Sequence, residues 1–148
     1  MSRLRVSTSL DPALDTNGLR FAGYAAIFDR PDRGGDVVRR GAFLASLKRG
    51  EAVPLLWQHR AGAVIGRVQH LSEDGRGLRV IAELGTGEDA RRAARLIESG
   101  KLDGLSFGYR VRRAASGWAY RELQDLDLIE VSLVAEPMQT RARVHAVE

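Results

Sequence analysis

Gly104-Leu105-Ser106-Phe107-Gly108-Tyr109 alternates with period two: Leu105, Phe107, Tyr109 and Val111 share one parity, and Ser106, Gly108 and Arg110 share the other. A strand with this pattern buries its aromatic residues and turns Ser106 to the opposite face. On this reading the glycines at 104 and 108 leave the surroundings of the serine open. The pattern alone is that of an amphipathic strand with a solvent-facing serine, and Ser106 gains chemical meaning only if partners are found.

Downstream, Ala115-Ser116-Gly117 predicts a hairpin, with Trp118 to Leu123 as the returning strand. Asp125 to Val134 continues as a strand in which Ile129, Val131 and Leu133 share one parity and Leu128, Glu130, Ser132 and Val134 the other. Glu130 is then a carboxylate inside an apolar stretch, and burial there requires a partner. Upstream, Thr86 to Gly100 is the clearest helix, because Ala90, Ala93, Ala94 and Ile97 fall on one face. Thr86 is the expected cap, and Gly100 closes the other end. Arg91, Arg92 and Arg95 form the outer face, as an ordinary solvated surface or as a docking surface for an acidic partner.

Earlier still, Ala63 to Leu71 and Arg76 to Leu84 predict two strands joined at Asp74-Gly75. Val53 to His59 is a further strand beginning near Pro54, with His59 where the apolar run gives way to Arg60-Ala61-Gly62. Ala42 to Leu47 predicts a short helix ended by Gly50, and Leu19 to Phe28 a largely buried strand. Asp29 to Asp36 reads as a loop whose aspartates are more simply turn residues than cation ligands. Residues 1–18 read as a flexible amino-terminal arm and 19–148 as a single domain. Repeated short strands with two helices favour a mainly β fold with helices, expected as a closed or partly closed β-barrel.

The 148 residues are enough for one core, and 44% of them are hydrophobic. The absence of cysteine excludes disulfide scaffolds, thiolate nucleophiles and thiolate metal sites. A net charge of +4 is spread over dispersed arginines, without the compact basic surface of a nucleic-acid module. No segment has the character of a signal peptide or a membrane span. The expectation is therefore a soluble intracellular product with no direct nucleic-acid or membrane partner and no metal or cofactor.

Peptide hydrolysis by serine needs a hydroxyl, a base to take its proton and a group that orients the base. Ser106, His59 and Glu130 supply those types from three different β elements. His70, beside a turn, is the weaker candidate base, and Ser132 the alternative hydroxyl. Whether the three meet is a matter of topology, not of spacing.

Five ordered segments resemble the prohead maturation protease family of HK97-like tailed bacteriophages, itself distantly similar to the herpesvirus assembly proteases. They are Gly23-Tyr-Ala-Ala-Ile-Phe-Asp29, Gly35-Asp-Val-Val38 with Gly41-Ala-Phe43, Leu55-Leu-Trp-Gln-His59, Gly104 to Tyr109, and Glu130-Val-Ser-Leu-Val134 with Pro137 beyond. A protein from a phage-derived particle such as a gene transfer agent would look the same. The resemblance implies a herpesvirus-protease-like barrel and a serine endopeptidase with Ser106 as nucleophile, His59 as general base and Glu130 orienting His59. The herpesvirus relatives carry histidine at the third position, and their oxyanion donors make Arg141 or Arg143 candidates here. The implied substrates are precursor capsid protein or scaffold, and the protease itself. Homodimerisation and action in the host cytoplasm, at the assembling prohead, follow by the same resemblance. The alternative is a catalytically inactive scaffold or capsid-binding protein on the same fold.

Overall fold

A computed structural model describes residues 16–148. Ten elements follow in order: β1 (Thr16–Ile27), β2 (Asp36–Val38), α1 (Leu44–Arg49), β3 (Pro54–Trp57), β4 (Arg60–Glu73), β5 (Gly77–Gly85), α2 (Glu88–Glu98), β6 (Gly104–Ser116), β7 (Arg121–Val134) and β8 (Val144–Val147). The arm expected over residues 1–18 lies largely outside the described residues, and Thr16 to Gly18 begin β1. No helix among the described residues is long and apolar enough to cross a membrane.

The strands form one sheet in the order β2-β7-β3-β4-β5-β1-β8, with β6 also on β7. Strand β7 takes β6 along one edge, so β2 and β3 share its other edge, both parallel to it. The remaining pairs are antiparallel. The expected closed or partly closed barrel is not formed: the sheet is open. Closure would require a ladder between β6 and β8, yet these edges meet only at an isolated bridge from Gly104 to Arg143. Strand β8 is only four residues long, stands last in the order and forms a ladder with β1 alone.

Apolar periodicity explains most of the core. Leu55, Leu78, Val80, Leu105, Val131 and Leu133 are fully buried between strands, and Phe43 stacks edge-on against Phe107 with ring centroids 5.2 Å apart. Helix α2 buries Ala90, Ala93, Ala94 and Ile97, as its spacing requires. Its cap is Gly87 rather than Thr86, with no side-chain hydrogen bond. Helix α1 ends on Gly50 at φ 70°, a left-handed conformation suited to glycine. Both carboxylate oxygens of Glu73 accept backbone N–H groups ahead of α1, from Gly41 and Phe43, at 2.8 Å each.

Candidate active site

Strand β7 is the spine of the site. Its pairing with β6 sets Ser106 opposite Ser132 and Gly108 opposite Glu130. Directly opposed residues of an antiparallel pair project to one face, with α-carbons about 5 Å apart. Ser106, Gly108, Glu130 and Ser132 therefore form one patch on the face opposite Leu105, Val131 and Leu133. The register skips Ile129 between Gly108 and Tyr109, which makes it a β-bulge. Leu126 and Leu128 are buried before the bulge and Val131 and Leu133 after it, while Ile129 is 45% exposed. The bulge breaks the simple parity expected along this strand and re-aims Glu130.

His59 arrives from the other edge of β7. Leu56 and Trp57 pair with Ser132 and Leu133, and Trp57 also pairs with Arg60 at the start of β4. Gln58 and His59 are thus the two central residues of a tight hairpin turn, with φ 51° and 62°. Positive φ at both centres is the signature of a type I′ turn, normally supplied by Asn-Gly. Holding two side-chain-bearing residues there costs roughly 1–2 kcal/mol each. Three hydrogen bonds to β7 and its exit hold the turn: Gln58 N–H to Leu133 O at 2.9 Å, Ala135 N–H to Gln58 Oε1 at 3.2 Å, and His59 N–H to Ser132 Oγ at 3.1 Å.

The imidazole closes onto the carboxylate, with His59 Nδ1 2.5 Å from Glu130 Oε2. An ionised carboxylate only accepts, so Nδ1 carries the hydrogen and Nε2 keeps a lone pair. The second oxygen, Oε1, accepts from Ser132 Oγ at 2.7 Å. Glu130 is 8% exposed and Ser132 fully buried, while the His59 side chain remains 42% exposed. The hydrogen bond to Glu130 raises the His59 pKa above its ordinary value; burial opposes that shift, and the charge of Glu130 adds to it.

The glycines flanking Ser106 do not open its surroundings, contrary to the simple expectation; they admit neighbours. A Cβ at Gly104 would lie 2.9 Å from Pro137 Cδ, and one at Gly108 would lie 2.8 Å from Glu130 Cδ and closer still to its Oε2. Ser106 itself is 7% exposed. No hydrogen bond joins its hydroxyl to His59 among the described residues; the structure brings His59 directly to Glu130, and Ser106 to the same patch through the ladder. Ser132, weighed as an alternative hydroxyl, is committed at both ends of its Oγ. His70 bonds Ser72 on the exposed part of β4, away from this patch.

The remaining candidates divide. The Arg143 guanidinium is tied to Asp103 Oδ1 at 2.7 Å and to Thr140 O at 2.8 Å. The chain around it lies antiparallel to the start of β6, through Leu105 N–H to Ala142 O at 2.9 Å and Val144 N–H to Asp103 O at 2.8 Å. Arg141 lies in the turn just before this contact, closed by Ala142 N–H to Gln139 O at 3.0 Å. The aspartates of the 29–36 loop are engaged separately. Asp29 pairs with Arg39, Asp32 Oδ1 accepts from the backbone of Gly34 and Asp36, and Asp36 binds Arg121 through both oxygens at 2.9 Å. They do not converge as a ligand set.

The architecture that carries this patch is that of the herpesvirus proteases. The varicella-zoster virus protease superposes with a TM-score of 0.57 at 16% identity, over 88% of this chain and 64% of its own. The KSHV protease in complex with a hexapeptide phosphonate inhibitor gives 0.58 at 15% identity, over 89% and 65%. Residues 6–148 match the model of the caudovirus prohead serine protease family, and the chain belongs to that family. The prohead protease of Enterobacteria phage HK97 is 27% identical over 136 residues, covering 86% of this chain. The chain spans 60% of the length of that relative.

Proposed function

We propose that this protein is a serine endopeptidase of head maturation, with Ser106 as nucleophile, His59 as general base and acid, and Glu130 orienting His59. The observation that carries the reading is the His59 Nδ1–Glu130 Oε2 hydrogen bond, made on the same face of β7 that Ser106 adjoins across the β6–β7 ladder. It fixes the tautomer that leaves Nε2 able to take a proton.

In the first half-reaction Ser106 Oγ attacks the scissile carbonyl carbon as its proton passes to His59 Nε2. His59 returns that proton to the leaving amine nitrogen, and the C–N bond breaks. Water then attacks the acyl-enzyme, giving its proton to His59; the ester C–O bond breaks and Oγ recovers a hydrogen. The Glu130 carboxylate offsets the imidazolium charge in both halves. Arg141 is the candidate to stabilise the oxyanion, being a cation with no ion pair among the described residues and next in sequence to Ala142, whose carbonyl accepts from Leu105 N–H; backbone amides near Ser106 compete with it.

By its family, the substrate is precursor capsid protein or its scaffolding segment, with the protease as a second substrate of its own, and the setting is the assembling prohead in the host cytoplasm. The test is incubation of the protein, and of Ser106→Ala, with the cognate precursor capsid protein, followed by identification of new termini. Cleavage by wild type and its loss in the folded variant are expected. Unchanged cleavage by Ser106→Ala removes the nucleophile assignment. A wild type that binds precursor without cutting it turns the reading to the inactive scaffold.

A further inference from the structure

Ser132 sits where two functions meet. Its side chain has no solvent exposure, and its hydroxyl makes two bonds that use its one hydrogen and one lone pair. The hydrogen goes to Glu130 Oε1 at 2.7 Å, and the lone pair takes the backbone N–H of His59 at 3.1 Å. One oxygen atom thus touches both members of the His59–Glu130 pair without touching the imidazole ring.

That arrangement is unusual in what it holds. His59 has φ 62° and follows Gln58 at φ 51°, a conformation that non-glycine residues leave unless something retains them. Two of the retaining contacts act on Gln58, and the bond to Ser132 is the one of the three that acts on the His59 backbone. On the carboxylate side, Glu130 projects from the residue after a bulge, where strand geometry alone fixes its direction poorly. Oε2 is held by the base and Oε1 by Ser132, so the carboxylate plane has two anchors. Removing Ser132 Oγ releases both groups together: the His59 backbone from β7, and the Glu130 plane from its second anchor.

We propose that Ser132 is a positioning residue for the reaction, its hydroxyl locking the strained His59 turn and the Glu130 carboxylate into one rigid unit. The proposal rests on the assignment of His59 as base. Ser132 makes no contact with substrate and accepts no reacting proton; it acts through His59 and Glu130.

The experiment uses Ser132→Ala and Ser132→Thr, the second retaining a hydroxyl at the same β-carbon. For cleavage of the precursor capsid protein, Ser132→Ala is expected to lower kcat roughly 10- to 100-fold, the loss of a buried hydrogen bond to a charged group, with KM within about twofold. Ser132→Thr restores most of kcat. The decisive readout does not depend on cleavage: the His59 ring is titrated by NMR in a Ser106→Ala background, with its signal assigned by His59→Gln. Loosening the turn weakens the bond to Glu130, so Ser132→Ala is expected to move the His59 pKa down toward the ordinary histidine value. A His59 titration unchanged or raised by Ser132→Ala overturns the proposal, and so does a kcat within threefold of wild type. If Ser132→Ala does not fold, the same titration in Ser132→Cys, a weaker donor of similar size, decides in the same sense. Continued cleavage by Ser106→Ala alone would instead sink the nucleophile assignment and leave the titration result standing.

Discussion

Replacing Gly108 by Ala tests the site through its geometry rather than its chemistry. Gly108 faces Glu130 across the β6–β7 ladder, and an added Cβ would lie 2.8 Å from Glu130 Cδ and 2.9 Å from Cγ, where ordinary contact begins at 3.4 Å. The carboxylate carbon must retreat by about 0.6 Å and Oε2, which is nearer, by more. Oε2 is the atom bonded to His59 at 2.5 Å, so the displacement falls on that bond. A misplacement of about 1 Å in catalytic geometry costs on the order of 100-fold, so Gly108→Ala should lower kcat by roughly 10- to 100-fold. The obstacle is the end of a flexible side chain rather than backbone, and the melting temperature should fall by only a few degrees. Gly75→Ala is the control, because an added Cβ there meets nothing within 4 Å. The assay is cleavage of the precursor capsid protein, read beside thermal denaturation and His59 titration. Gly108→Ala with kcat/KM within threefold of wild type would refute the reasoning.

The pH dependence follows from the pair. Glu130 raises the folded pKa of His59, so the acid limb of kcat/KM should lie above the ordinary histidine value of about 6.5. Glu130→Gln should move that limb down and cut turnover far more than stability; a comparable loss of fold would make the pair structural. Because the folded pKa is raised, the pair's contribution to stability is fully present below the unfolded pKa of about 6.5 and disappears as pH rises through the folded value. Denaturation midpoints of wild type and Glu130→Gln should therefore converge at alkaline pH. Arg141→Ala should lower kcat about 100-fold with an unchanged melting temperature, and equal losses in both would assign the residue to docking its own segment. Gln139, 6% exposed, satisfies both backbone groups of Ile27 at 2.7 and 3.0 Å, so Gln139→Leu should cost about 2–4 kcal/mol by chemical denaturation. A loss under 1 kcal/mol would mean that water replaces the amide.

Much of this was readable in the residues. Strands β1 and β3 to β7 and helix α2 announce themselves by alternation or by a four-residue apolar stripe. Strands β2 and β8 are three and four residues long, too short to display a period, and exist because β7 and β1 offer them edges. Barrel closure failed as an expectation because it depends on which distant edges meet, a property no local pattern contains. In the site, Glu130 stood out as a carboxylate in apolar surroundings, and its need for a partner is met by His59 and Ser132. The turn beneath His59 was not legible, since Gln58-His59 lacks the asparagine and glycine that usually mark it. Gly108 and Ser132 take their meaning from the register against β6 and the turn, which becomes visible only once strands are paired.

The parallel pairing of β3 with β7 has a consequence in time. His59 is tied by its backbone to a residue 73 positions away, so its imidazole meets Glu130 as part of a long-range contact. Long-range parallel pairings are among the slow events of folding. Partly folded chains that lack this pairing can still form the β6–β7 ladder that carries Ser106 and Glu130, and it is the imidazole that they keep apart. The patch is complete only when strands on both edges of β7 are in place.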